Sequence, residues 1–222
     1  MLDAVLFDLD GTLADTAPDL CGTANTLLAE EGRPQQPFAS LRPHTSRGVR
    51  GLLGAAFAID DRDPDYDRLA ARFLDIYAGR LCDDSRLFDG IPELLDTVEA
   101  LRLGWGIVTN TRMRFTDPLV AWLQLAPRTP CVVSGDTTAA AKPSPLPILH
   151  ACALLGCVPQ RTLYVGDDRR DIEAGRNAGC RTVAVSYGYL GDSGPLATWG
   201  ADLIVDHPDE LGDYLSRSVA PR

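Results

Sequence analysis

The stretch Ala4-Val5-Leu6-Phe7-Asp8-Leu9-Asp10-Gly11-Thr12-Leu13-Ala14-Asp15-Thr16 decides the fold class. Its apolar opening is short and ends at a glycine turn, so it reads as a buried strand over about residues 3–8. Asp8 and Asp10, at i and i+2, emerge where that strand stops. In an open α/β sheet the carboxyl ends of the strands are where ligands and chemistry collect. Two carboxylates this close repel, so either one is protonated or a cation sits between them. Both states suit catalysis, with one Asp as nucleophile and the other handling protons. Gly11 lets the chain turn sharply out of the strand.

Downstream, Asp15 or Thr16 offers an N-cap and Pro18 a first-turn proline. The helix they open runs through Leu20, Ala24, Leu27 and Leu28 and stops at Gly32, with Pro34 beyond. Segments near 38–58 and 64–80 read as further helices, the latter from the spacing of Leu69, Phe73, Ile76 and Tyr77. No strand pattern interrupts residues 16–82. After Phe88-Asp89-Gly90 the pattern changes. Helices near 92–103, 117–125, 145–155, 171–178 and 208–217 alternate with strands near 105–109, 131–133, 162–165, 182–185 and 203–205. That alternation predicts an α/β fold with a Rossmann-like, doubly wound parallel sheet. The first strand cannot stand alone, so it joins this sheet and the helical block becomes an insertion. The expected organisation is a discontinuous core of residues 1–15 and 83–222 and an all-helical cap of residues 16–82. The Gly-rich stretch 188–200 reads as a long surface loop.

Four places put reactive side chains at the carboxyl end of a predicted strand: Asp8/Asp10, Thr109-Asn110, Lys142 on a following loop, and Gly166-Asp167-Asp168 with Asp171. All lie along one rim of the sheet and can converge on one ligand. Asp8 and Asp167, with Asp168 or Asp171, are hard oxygen ligands suited to Mg²⁺. Lys142 can hold a carboxylate and a phosphate oxygen, and Thr109 and Asn110 offer further donors. Taken singly, each has an ordinary role: a strand-to-helix turn, a solvated lysine, an N-cap, a first-turn acid. Together, in this order, they describe phosphoryl transfer.

The strings DLDGTLADT (8–16), VTN (108–110), AKPSPLP (141–147) and VGDDRRDIEAGRNAG (165–179) resemble the haloacid dehalogenase superfamily of phosphatases over essentially the whole chain. The likeness is strongest to the phosphoglycolate phosphatase-like branch. The stretch 103–110, the Tyr187-Gly188-Tyr189 turn and Trp199-Gly200-Ala201-Asp202 look like the N-acetylmuramic acid 6-phosphate phosphatases. The resemblance implies Asp8 as a nucleophile that becomes an aspartyl-phosphate, and Asp10 as general acid and then base. It implies a phosphoryl group held by Thr109 and Lys142. It also implies Mg²⁺ held by Asp8, Asp167 and the backbone carbonyl of Asp10, with Asp171 orienting the metal shell or Lys142. Relatives often carry Lys where this chain has Thr111, which leaves Arg112 or Arg114 to supply that charge.

Within the helical block, Arg42–Gly51 is a polar, basic stretch. Ser46, Arg47 and Arg50, with His44 beside them, are candidates to hold a substrate carboxylate or sugar hydroxyls; the same stretch also reads as a solvated connection between helices. The expected function is Mg²⁺-dependent hydrolysis of a small carboxylate-bearing phosphomonoester, 2-phosphoglycolate or N-acetylmuramic acid 6-phosphate. A phosphomutase or other phosphotransferase on the same scaffold is the alternative.

Composition agrees with a small-molecule enzyme. The 222 residues carry a net charge of −10, which disfavours nucleic acid as partner, and 45% are hydrophobic, enough for a core. No apolar run approaches a membrane span, and the N-terminus does not read as a signal peptide. Six scattered cysteines, none in a CxxC pair, and three histidines make no zinc-ligand set. Reduced thiols in the cytoplasm, and a monomer or weak homodimer, are expected.

Overall fold

A computed structural model describes residues 2–191 and 193–218. Six strands form one parallel sheet: β1 (Ala4–Phe7), β4 (Gly104–Val108), β5 (Val132–Val133), β6 (Thr162–Gly166), β7 (Arg181–Val185) and β8 (Leu203–Val205), in the order β5-β4-β1-β6-β7-β8. β1 is central, and its register aligns Phe7 with both Ile107 and Val165. The residues that follow these three strands therefore leave the sheet at one level. From β1 the chain builds outward through β4 and β5, then returns to β6 on the other side of β1. That reversal places the ligand crevice above β1.

The two-residue alternation of the strands sorts their side chains onto two buried faces. Val5, Phe7, Ile107, Leu163 and Val165 pack with helices α5 (Ile91–Ala100), α6 (Met113–Trp122) and α9 (Pro208–Ser218). Leu6, Val108 and Tyr164 face α7 (Leu146–Leu155) and α8 (Arg169–Ala178). Cover on both faces explains why these strands are apolar almost throughout.

The helical stretch comprises α1 (Ala17–Glu30), α2 (Phe38–Leu41), a 3₁₀ segment (Arg42–Arg47), α3 (Gly48–Phe57) and α4 (Tyr66–Arg80). It buries a separate apolar cluster including Leu20, Leu27, Leu41, Leu53, Leu69 and Phe73, closed from below by Phe115 and Tyr189. The chain enters and leaves it through a small antiparallel pair, β2 (Ala14–Asp15) with β3 (Arg86–Leu87). Buried Asp19 ties the return to α1 by accepting from the backbone N–H of Asp84 and Ser85 and from the Ser85 hydroxyl.

Two expectations need correction, and two short strands add to the reading. The single helix near 38–58 is broken in two by the 3₁₀ segment, because Pro43 removes a backbone donor and Gly48 sits at φ 56°. β2 and β3 are two residues each, too short to give a period-two signal. The stretch 188–200 is not only surface: Tyr189 and Trp199 are each 3% exposed and serve as internal struts. All six cysteines are free, and among the described residues no helix is long and apolar enough to cross a membrane.

Candidate active site

Asp8 is still within the sheet, its N–H donating to Val165 O at 2.9 Å, while its side chain lies just beyond the strand. Lys142 Nζ donates to Asp8 Oδ1 at 2.7 Å, and the lysine side chain is only 2% exposed. The same Nζ lies 2.7 Å from Asp171 Oδ1 and donates to Val108 O and Tyr164 Oη, both at 2.9 Å. An ammonium has three protons, so four acceptors leave none spare for another ligand. Burial opposes the charge on Lys142, but the Asp171 and Asp8 carboxylates outweigh it and hold its pKa well above the ordinary lysine value.

The backbone of Lys142 is fixed by Asn110 in a reciprocal pair: Lys142 N–H donates to Asn110 Oδ1 at 2.9 Å, and Asn110 Nδ2 donates to Lys142 O at 3.0 Å. The amide expected to hold a phosphate oxygen thus anchors the lysine loop.

Asp10 is held by three hydroxyls. Thr16 Oγ1 donates to Oδ1 at 2.7 Å; Thr111 and Thr109 donate to Oδ2 at 2.8 and 3.2 Å. Thr111, the departure from the expected lysine, therefore positions an acid instead of supplying a charge. Thr16 is itself held, since Tyr189 Oη accepts from the N–H of Thr16 at 2.7 Å and of Ala17 at 3.0 Å. Nothing in the sequence pattern marked Tyr164 or Tyr189 for these tasks. Each occupies a position that periodicity reads only as core or loop.

Asp167 follows β6 and is fully buried. Tyr189 N–H donates to its Oδ2 at 2.7 Å, while Oδ1 has no hydrogen-bond partner among the described residues. The carboxylate is packed between glycines: a Cβ on Gly11, which also adopts φ 90°, or on Gly188 would collide with it. Burial, then the Asp8 and Asp171 charges, push the Asp167 pKa well above the carboxylate range. Burial likewise raises Asp8 to about 7 against the opposing pull of Lys142.

Oxygens of Asp8, Asp167 and Asp171 lie within 4.8 Å of one another. An orphaned buried oxygen and three converging hard ligands fit a divalent cation, which would reverse the unfavourable carboxylate electrostatics. Asp171 is the most committed of the three, because its Oδ2 also accepts from Asp168 N–H at 3.1 Å in the capping box of α8. Asp168 belongs to that cap and to Arg170, not to the carboxylate cluster. The side chain of Asp10 also lies outside the cluster, which leaves only its backbone carbonyl for a metal.

These groups floor a cavity of about 430 Å³. Thr109, Asn110 and Arg112 line its core side; Ser46, Arg47, Tyr66, Phe73 and Tyr77 line its helical side. Arg50 is not brought here: it pairs with Asp61 at 3.2 Å and borders a neighbouring cleft, as does His44. Arg114 is likewise withdrawn, its guanidinium stacked 4.4 Å from the centre of the Phe115 ring.

Residues 5–185 match the family model described as haloacid dehalogenase-like hydrolase. The chain is 45% identical to N-acetylmuramic acid 6-phosphate phosphatase of Pseudomonas aeruginosa, over 98% of this chain and 96% of that protein. It is 43% identical to phosphoglycolate phosphatase of Xanthomonas campestris, over 94% of each. The crystal structure of a predicted phosphoglycolate phosphatase from Haemophilus somnus superposes with a TM-score of 0.84 at 27% identity, covering 96% of this chain and 98% of that one.

Proposed function

The chain belongs to the haloacid dehalogenase-like hydrolases and is a phosphatase, and on that premise we propose that it hydrolyses N-acetylmuramic acid 6-phosphate through an aspartyl-phosphate on Asp8. The observation that carries the chemistry is the pairing of Asp8 with Lys142 beside an Asp10 held by three hydroxyls, all at the base of one cavity. A buried carboxylate is a usable nucleophile only when ionised, and Lys142 favours that form. The ammonium engages Asp8 Oδ1, and among the described residues Oδ2 accepts no hydrogen bond. Asp8 attacks phosphorus, and the ester oxygen leaves with the proton of Asp10. Asp10 then takes a proton from the water that attacks the aspartyl-phosphate, which releases inorganic phosphate and restores Asp8. Asp8, Asp167 and the Asp10 carbonyl would hold Mg²⁺, which supplies neutralisation of phosphate charge when bound. Asp171 serves mainly Lys142.

The substrate preference rests on the cavity. Its volume of about 430 Å³ falls within the range of about 300–1,000 Å³ typical of small-molecule pockets. The aromatic wall of Tyr66, Phe73, Tyr77 and Phe115 suits a sugar face and an acetamido methyl group. A two-carbon ester such as 2-phosphoglycolate would leave most of that wall in water. Arg47, exposed at the cavity edge, suits the lactyl carboxylate. In this proposal residues 16–82 act as a cap that supplies specificity, and residues 1–15 with 83–222 act as the core that supplies chemistry.

Two measurements test the proposal. Phosphate release from N-acetylmuramic acid 6-phosphate is expected to exceed that from 2-phosphoglycolate by at least about tenfold in kcat/KM, roughly what one well-made polar contact contributes; the reverse order overturns the substrate assignment. Activity is expected to disappear on treatment with EDTA and return with Mg²⁺, since the ligands are hard oxygens. Undiminished turnover in metal-free buffer overturns the metal assignment.

A further inference from the structure

Arg170 stands at the start of α8 and faces both the catalytic cavity and the neighbouring cleft. A guanidinium carries five N–H donors in a rigid fork. Here Nε donates to Asp168 Oδ1 at 2.8 Å and Nη2 to Asp168 Oδ2 at 3.1 Å. Nη2 also donates to the backbone carbonyl of Ser46 at 2.6 Å, across from the core to the 3₁₀ segment of the helical block. Asp168 is itself immobilised as the N-cap of α8, where it accepts from Arg170 N–H at 2.8 Å. The fork is therefore held from two sides. Nη1 is the exception: among the described residues it has no hydrogen-bond partner, and the side chain is 35% exposed.

Other cations around the cleft are already committed. Arg50 pairs with Asp61, and Arg169 donates to Glu173 at 2.9 Å. Arg47, whose segment is fastened by Arg170, borders the same two spaces and forms no ion pair among the described residues. One uncommitted cation from the helical block and one half-free fork from the core thus meet at the junction of the two cavities. A carboxylate suits such a pair, because one oxygen can accept from the free Nη1 and its charge answers that of Arg47.

We propose that Arg170 is a specificity-determining residue whose Nη1 donates to the substrate carboxylate, with Arg47 completing the site. The proposal rests on the substrate class proposed above. It adds a structural consequence: the guanidinium that binds the carboxylate also holds Ser46, so the same side chain joins ligand, core and helical block. Substrates lacking the carboxylate leave Nη1 unused.

The test compares N-acetylmuramic acid 6-phosphate with N-acetylglucosamine 6-phosphate, which lacks the lactyl carboxylate. In the wild type the ratio of kcat/KM values is expected to favour the carboxylated sugar. In Arg170→Ala that ratio is expected to fall roughly 10- to 100-fold, the range for loss of a charge-assisted hydrogen bond, with the change carried mainly by KM. Arg170→Lys keeps the charge but cannot span Asp168, Ser46 and a ligand together, so it is expected to restore little of the ratio. Thermal melting establishes that both variants are folded. Equal losses on both sugars, in either variant, mean that Arg170 only fastens Ser46, and overturn the inference while leaving the substrate assignment intact. A wild type that hydrolyses neither sugar overturns the substrate assignment and this inference with it.

Discussion

Asp8→Asn is expected to bring phosphate release down to the background of the assay. An amide oxygen is a poor nucleophile toward phosphorus, and the substitution also removes one of three carboxylates that converge on the candidate metal position. The fold is expected to persist. Asp8 is buried beside Asp171 and Asp10, whose charges disfavour its ionised form, so a neutral side chain relieves repulsion. Lys142 keeps Asp171 at 2.7 Å as well as the Val108 carbonyl and the Tyr164 hydroxyl, so it is not left as an unpaired buried charge. The melting temperature is therefore expected to move by no more than ~2–4 °C, which corresponds to ~1 kcal/mol in a chain of this size. A folded variant retaining more than about a tenth of wild-type turnover excludes Asp8 as the nucleophile, since a loss of under tenfold is less than about 1.4 kcal/mol of barrier.

What made the candidate site legible is that its reactive side chains follow strand ends. Asp8, Thr109 and Asp167 each follow a run of apolar residues whose period announces a buried strand, and the parallel order then forces them onto one rim. The strand reading needs only local pattern, so it succeeded wherever a strand had four or more residues. It failed at β2 and β3, whose two-residue pairing depends on where the helical block leaves and rejoins the core. It failed also at 38–58, where Pro43 and Gly48 outvote the apolar spacing around them.

Side-chain direction was a harder matter. Asn110 and Lys142 are adjacent to the cavity, yet their hydrogen-bonding capacity is spent on each other's loop and on buried carboxylates. Arg50 sits in the basic stretch that the sequence singled out, but helix α3 carries it toward Asp61, three residues beyond the helix C-cap. Tyr164 and Tyr189 act through hydroxyls at the ends of long rings, where a one-dimensional pattern registers only an apolar body. Their partners are distant in sequence: Tyr189 reaches Thr16 and Tyr164 reaches Lys142. Such contacts come from the closure of the fold and leave no local signal.

Asp10→Asn is the second large effect, and it separates the roles of the two carboxylates. An amide keeps one acceptor oxygen, which can face either Thr16 or the Thr109–Thr111 pair, and its NH2 can donate to a rotated hydroxyl on the other side, so its placement is expected to survive. What it cannot do is give a proton to the departing alkoxide or take one from water. The loss for a sugar phosphate is expected to be about 10²- to 10⁴-fold in kcat, the usual span for general acid–base catalysis. The backbone carbonyl is unchanged, so the Mg²⁺ concentration giving half-maximal activity is expected to stay close to wild type. With p-nitrophenyl phosphate the leaving phenolate needs little protonation, so the step that forms the aspartyl-phosphate is expected to be nearly spared. Hydrolysis of that intermediate still lacks its base. The variant is therefore expected to release p-nitrophenolate in a rapid burst close to one per active site, followed by slow turnover. Equal slowing of the first turnover with sugar and aryl phosphates, and no burst, would remove Asp10 from the acid role and leave it as a residue that only positions its three threonine partners.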